Sequence, residues 1–328
     1  MKIFSGIQPT GSKHLGNYIG AIRQYVEGQD RGDPAIYCIV DLHALTVPWD
    51  PETLRSSVYD TTAILMAAGL DPERSILFRQ SDVREHTELT WYLAAVTSHG
   101  DLNRMTQFKE KTAKQRELVS AGLFFYPVLM AADVLAYRAT EVPVGDDQVQ
   151  HVELMREIAR RFNERFGEVL AVPEVRVPEV GARIMDLQEP TNKMSTTGGT
   201  EAGTVLVLDD PEAITKKIKS AVTDSGSEVK RGDGKEGIGN LIQILAVARG
   251  TTEEEIESEF DGSGYGDFKG AVADAVVDYL APVRERYVEL RPDQDALEAT
   301  LEAGAEKARE IASGTLADVR ATIGVGPA

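Results

Sequence analysis

Two regimes of apolar patterning divide this chain near residue 200. Before it, short apolar runs alternate with stretches whose apolar residues recur every three or four positions. Ile3, Phe4 and Ile7 read as a buried strand, and Ala35 to Asp41 as a second, apolar enough to be covered on both faces. Ser75 to Gln80 read as a third strand and Val142 to Gly145 as a short fourth. Between them the period is helical: from Asn17, Tyr18, Ile19, Ala21, Ile22, Tyr25 and Val26 share a stripe, and the turn before them reads equally as a ligand loop or as an ordinary βα turn capped by Asn17. A helix runs from Asp50, its cap, and Pro51, its first residue, to about Ala68, where Gly69 stops it. His86 to Val96 and Asp147 to Phe166 carry two more helices. Such alternation predicts an α/β fold with a parallel sheet covered on both faces. Ligands of such sheets lie at the C-terminal strand ends, which places Ser5 to Gln8, Asp41 to His43 and Gly145 to Gln148 around one crevice.

After about Thr200 the strands mostly stop. Pro211–Val222, Gly237–Arg249, Glu253–Phe260, Phe268–Leu290, Asp293–Ser313 and Thr315–Ile323 all have helical patterns, separated by breaks rich in Gly, Ser and Asp. The expected organisation is a sheet domain over residues 1–200 and an all-helical domain over 201–328.

Composition narrows the partners. The 328 residues are 42% hydrophobic, enough for one large core or two. No apolar run reaches membrane length and no charged-then-apolar leader precedes the first strand, so the expectation is cytoplasmic, with no membrane partner. The single cysteine, Cys38, reads as a small core residue, and the five histidines form no ligand-like cluster, so no metal site is expected. A net charge of −18 argues against sequence-blind binding to DNA. It leaves room for an RNA held on local basic patches: Lys109, Lys111, Lys114 and Arg116; Lys216, Lys217 and Lys219; Lys230, Arg231 and Lys235. From residue 251 onward, 18 acidic residues face 7 basic ones, so a polyanion has little to meet there.

Three stretches carry chemistry. Gln8 to Asn17 is a polar, glycine-containing turn ahead of a helix, whose N-terminal N–H groups and dipole suit a phosphate. Its spacing is neither the dinucleotide fingerprint nor a Walker loop. Lys193 and Ser195 precede Gly198 and Gly199, a cation beside hydroxyls on a loop able to close over a triphosphate. Asp133 is a lone carboxylate on an otherwise apolar helix and, if buried, needs a donor. An indole N–H, which donates and accepts nothing, suits it; a protein N–H or water serves as well.

Pro9, Thr10, Gly11, His14, Leu15, Gly16 and Asn17 together resemble the HIGH-type signature of class I aminoacyl-tRNA synthetases. Phe4 to Pro9 before it and Asn17 to Ala21 after it narrow the resemblance to bacterial tryptophanyl-tRNA synthetases. Lys193, Met194 and Ser195 resemble the KMSKS signature, with Thr196 in place of its second lysine and Thr197 in place of its last serine. The resemblance implies a Rossmann-like catalytic domain ending in that loop and a helical anticodon-binding domain. It implies a homodimer that activates L-tryptophan with ATP, presented with Mg2+ as a substrate complex, and transfers it to tRNA(Trp), with no tightly bound cofactor. The implied ATP site is Gln8, Pro9, Thr10, His14, Gly16, Asn17, Gly145, Asp146, Asp147, Gln148, Ile184, Lys193, Met194, Ser195, Thr196 and Thr197. Charge stabilisation falls to Lys193, Ser195, Lys111, Asn17 and Gln8. Asp133 is implied to accept the indole N–H, inside a slot formed by Phe4, Met130, Tyr126, Val142 and Val144 with His43 nearby. Besides a small-molecule nucleotidyltransferase, which could use a similar histidine loop but leaves the helical second half unexplained, two alternatives stand beside this. One is a tyrosyl-type enzyme, against which Met130 argues because those enzymes carry Gln there. The other is a tryptophan-binding paralogue with weak or no tRNA charging, which Thr196 sustains.

Overall fold

β1 (Ile3–Ile7), β2 (Ala35–Ile39), β3 (Ile76–Arg79), β4 (Glu141–Pro143) and β5 (Glu174–Arg176) form one parallel sheet in the order β3-β2-β1-β4-β5. The computed structural model describes residues 2–107, 119–176, 183–196 and 198–326. Phe4 stands opposite Ile36, Cys38 opposite Phe78 and Ile3 opposite Glu141. Alternation along the strands feeds two cores. Ile3, Ile7, Tyr37, Ile39 and Leu77 pack with Leu15, Ile22 and Leu65. Phe4, Ile36, Cys38 and Phe78 pack with Val128, Val134, Met155 and Phe162. Each such large side chain contributes about 1.5–3 kcal/mol on burial, which is why both faces are covered.

The helices of the first half are α1 (Leu15–Asn17), running through a π-turn at Tyr18–Ile22 into α2 (Arg23–Asp30), then α3 (Asp41–Ala44), α4 (Pro51–Ala67), α5 (Glu85–Ala94), α6 (His99–Arg104), α7 (Ala121–Leu135) and α8 (Val149–Phe166). Asp50 caps α4 through the Thr53 N–H. The fourth strand is shorter than its pattern, and α8 starts at Val149 after a 3-10 turn at Asp146–Gln148. β5 was not anticipated: three residues are too few for a period to show.

The second half holds α9 (Pro211–Lys219), α10 (Glu236–Arg249), α11 (Glu253–Glu259), α12 (Tyr265–Leu290) and α13 (Gln294–Ile323). The expected break between Ser313 and Thr315 is absent, and α13 is one helix of 30 residues. Gly314 faces open space there, and its cost of about 1 kcal/mol is outweighed because Ala312, Thr315, Leu316 and Val319 carry the buried stripe past it.

The helical half shares its cores with the sheet. Phe268, Val272 and Val276 of α12 cluster with Ile3 and Ile39, while Ala305, Ala308 and Ala312 of α13 join Phe4 and Phe78. α13 lies against β3 so closely that a Cβ on Gly304 would stand 1.8 Å from the Leu77 carbonyl oxygen. Glu298 of α13 fixes the same edge, accepting from Arg79 at 2.7 and 3.1 Å and from the Tyr59 hydroxyl at 2.9 Å. No described helix is long and apolar enough to cross a membrane.

Candidate active site

β2 and β3 lie on one side of β1, β4 and β5 on the other, so a crevice opens at the C-terminal ends of β1 and β4. The turn after β1 enters it. His14, not Asn17, is the N-cap of α1, and the two cap each other. His14 Nδ1 accepts the Asn17 backbone N–H at 3.2 Å, and Asn17 Oδ1 accepts the His14 N–H at 3.1 Å. Asn17 is therefore the third helical residue of a capping box rather than the cap. The Nδ1 lone pair is engaged, so the neutral ring carries its proton on Nε2. Burial, with the charges of Lys193 and Lys13, lowers the His14 pKa to about 4, and the ring is uncharged at neutral pH. A Cβ on Gly16 would stand 3.1 Å from the His14 ring and 3.5 Å from Ile184, so a side chain here would press on the His14 ring.

Lys13 escaped the sequence reading because a lysine in a polar turn looks solvated. It is 6% exposed. Its Nζ donates to the carbonyls of Gln8 at 2.7 Å, Gly11 at 3.3 Å and Thr10 at 3.4 Å, tying the turn together from inside. Burial lowers its pKa to about 8.

The second loop is built on a tight hairpin. Met194 N–H donates to the Ile184 carbonyl at 3.0 Å and Asp186 N–H to the Asn192 carbonyl at 2.8 Å. The side chains of Ile184 and Met194 are buried in the core and anchor the loop, leaving its polar residues outside. The Asp186 carboxylate accepts the N–H groups of Gln188 at 2.8 Å and Glu189 at 3.1 Å on one limb and Thr200 at 3.3 Å on the other. Past Gly203 the chain returns to the first turn: Leu15 N–H donates to Val205 O and Val207 N–H to Lys13 O, both at 2.8 Å. The segment leaving the second loop is thus hydrogen-bonded to the first turn through the backbone. Thr196 Oγ1 stands against Gly11, 3.0 Å from where a Cβ would lie. Lys193 Nζ reaches Asp147 Oδ1 at 3.4 Å, and Gln148 Nε2 donates to Asp147 Oδ2 at 2.7 Å. Gly145, Asp147, Gln148, Lys193 and Thr196 are therefore brought to the side of the crevice that His14 and Gln8 enter. Lys111, Thr197 and the Asp146 side chain lie outside the described residues.

Asp133, on α7, is 2% exposed and meets protein donors at both oxygens. His43 Nε2 lies 2.7 Å from Oδ2, and Gln80 Nε2 donates to Oδ1 at 2.7 Å. His86 Nδ1 is 2.8 Å from Oδ1, though turned off the line of a straight hydrogen bond. Burial works to raise the Asp133 pKa, but the contacts from His43 and His86 prevail and hold the carboxyl well below its ordinary range. The Tyr126 ring stands edge-on to His43, 6.2 Å between centroids, and its hydroxyl pairs with His151 Nε2 at 2.7 Å. Phe4 stacks on Tyr137 at 5.5 Å; it and Val142 are buried. Met130 and Val144 are half-buried against the same cluster.

Comparison with known proteins settles the ancestry of this arrangement. The family model described as tRNA synthetases class I (W and Y) matches residues 1–281. The chain belongs to that family. This synthetase is 47% identical over 324 residues to a tryptophan–tRNA ligase of Wolinella succinogenes, covering 99% of this chain and 98% of that protein. Its fold matches the crystal structure of tryptophanyl-tRNA synthetase from Mycoplasma pneumoniae with a TM-score of 0.92 at 33% identity, over 99% of this chain and 98% of that one. It matches the tryptophanyl-tRNA synthetase of Campylobacter jejuni complexed with ADP and tryptophan with a TM-score of 0.83 at 35% identity, over 99% of this chain and 100% of that one.

Two of the basic patches of the synthetase are partly spent on its own acids. Arg231 pairs with Glu253, Glu254 and Glu257, Lys230 with Asp261 at 3.6 Å and Lys235 with Glu228 at 4.0 Å. Lys217 pairs with Asp209 at 2.6 Å, while Lys216 and Lys219 beside it are exposed. The patch at Lys109, Lys111, Lys114 and Arg116 lies outside the described residues.

Proposed function

We propose that the chain is a tryptophan–tRNA ligase that activates L-tryptophan with ATP to tryptophanyl-adenylate and passes the acyl group to tRNA(Trp). Near-full-length likeness to tryptophan–tRNA ligases carries this reading and speaks for tryptophan over the tyrosyl alternative. In the first step the tryptophan carboxylate attacks the α-phosphate of ATP in line, and pyrophosphate leaves. In the second a ribose hydroxyl of the terminal adenosine displaces AMP. No side chain need form a covalent intermediate, so catalysis is positioning plus charge stabilisation. Magnesium enters with ATP as part of the substrate.

The residues divide the work as follows. The turn from Gln8 to Asn17, with Pro9, Thr10 and Gly16, bears on the nucleotide, and neutral His14 offers its Nε2–H as a donor. Gly145 to Gln148 and Ile184 line the adenosine side. Lys193 leaves Asp147 for the phosphates, with Ser195 and Lys111 sharing the load. Asp133 accepts the indole N–H through Oδ2, where one of the oxygen's two lone pairs is taken by His43. Phe4, Met130, Tyr126, Val142 and Val144 shape the slot. The helical region of residues 201–328 reads the tRNA, the enzyme works as a homodimer, and its compartment is the cytoplasm.

Charging of total bacterial tRNA with labelled tryptophan by the purified chain tests the whole reaction. Accumulation of acid-precipitable tryptophanyl-tRNA is expected. Activation of tryptophan without charging would transfer the reading to a tryptophan-binding paralogue.

A further inference from the structure

Proton bookkeeping around Asp133 extends beyond the residues that face substrate. His86 and Tyr137 are 0% exposed. The Tyr137 hydroxyl lies 2.5 Å from His86 Nε2, the acceptor it reaches among the described residues, and burial pushes the phenol well above its ordinary pKa, so it has a proton to donate there. Nε2 is then the acceptor, which leaves the ring's proton on Nδ1. Among the described residues, the acceptor within reach of Nδ1 is Asp133 Oδ1 at 2.8 Å. Gln80 is fixed too: its Oε1 accepts the Leu42 N–H at 3.0 Å, which turns Nε2 onto the same Oδ1 at 2.7 Å. Oδ1 therefore accepts from Gln80 and faces the off-line His86 Nδ1 at 2.8 Å, so the protein occupies it from both sides. Among the described residues Oδ2 has one donor, His43 at 2.7 Å. Phe4 stacks on Tyr137, and Phe78 meets both His86 and Tyr137 edge-on, which closes the network to water.

We propose that Tyr137 and His86 are specificity-positioning residues: acting from behind the tryptophan slot, they lock the orientation of the Asp133 carboxylate so that Oδ2 is the oxygen presented to the substrate's N–H. This rests on Asp133 being the indole acceptor. Without the Tyr137 hydroxyl, His86 is free to move its proton to Nε2 and turn a lone pair on Asp133, which then rotates or takes a proton. The loss falls on recognition of the ligand's N–H rather than on ATP.

The test is ATP–pyrophosphate exchange with the full chain. It compares kcat/KM for L-tryptophan with that for 3-benzothienyl-L-alanine, which has sulfur in place of the indole N–H. Wild-type enzyme is expected to prefer tryptophan by about 100-fold, the scale of a hydrogen bond to a charged group. Tyr137→Phe, which keeps the packed ring, and His86→Phe should each cut that preference about tenfold. KM for ATP should stay within about twofold. His86→Asn, which keeps an N–H near the Nδ1 position, should recover most of the preference. Undiminished preference in Tyr137→Phe and His86→Phe overturns the positioning role and leaves Asp133 as acceptor. Absence of preference in the wild type overturns the acceptor role and the positioning role together.

Discussion

Lys193 Nζ lies 3.4 Å from Asp147 Oδ1, an ion pair that ties the loop after Ile184 to the turn opening α8. Both side chains are half-exposed, so water screens the pair and it is worth about 0–1 kcal/mol. A contact that weak holds the lysine beside the turn opening α8 without holding it back. Lys193→Ala should therefore lower exchange by about 100- to 1,000-fold, the cost of removing one preorganised charge. The denaturant midpoint should shift by less than the equivalent of about 1 kcal/mol. Exchange kinetics and urea unfolding measure the two separately, and a parallel loss in both would make Lys193 a structural residue.

His14 links α1 to acid stability. Its folded pKa, about 4, lies below the unfolded value of 6.5. The unfolded chain thus binds the extra proton first as pH falls, and stability is lost between 6.5 and 4. The gap sets an upper bound of about 3 kcal/mol. His14→Asn keeps a capping side chain and removes the titration. Urea midpoints of the two proteins should diverge across this window, with the wild type losing more; parallel curves would contradict a buried neutral cap.

For Lys13, activity and stability move in opposite directions as pH rises. Its folded pKa, about 8, lies below the unfolded 10.5. Burying the ammonium therefore costs stability below about pH 8, and that cost is lifted as pH rises from 8 to 10.5. The same deprotonation weakens its hold on the Gln8, Thr10 and Gly11 carbonyls. Exchange should fall as pH passes 8 in the wild type. Lys13→Met should start lower and show no such alkaline limb. A limb that persists in the variant would assign it to another group.

Gly304 separates helix propensity from packing. In an open helix interior, Gly to Ala stabilises by about 1 kcal/mol. Here the added carbon would stand 1.8 Å from the Leu77 carbonyl oxygen, so Gly304→Ala should destabilise by at least about 2 kcal/mol in urea unfolding. A more stable variant would mean that α13 does not rest on β3.

Period and punctuation made much of this fold legible. Four strands, the long helices and the crevice at the strand ends follow from local pattern, because buried faces repeat every two or 3.6 residues. What escaped depends on partners far apart in the chain. β5 is paired by β4 rather than by its own pattern. Gly314 looks like a stop until α13 is packed on β3. Lys13 shows as a buried cation only when the Gln8 turn wraps around it. Gln80 and His86 meet Asp133 from 53 and 47 positions away, a distance at which sequence spacing carries no geometric information. Asp133 itself was legible, and its hydrogen bonds to His43 and Gln80, with His86 close beside them, were not.

The decisive measurement is amino-acid-dependent ATP–pyrophosphate exchange with the purified chain and no tRNA, using tryptophan, tyrosine and phenylalanine in turn. Exchange with tryptophan alone is expected. Exchange driven by tyrosine, or none with any of the three, would contradict the assignment of the crevice and of Asp133.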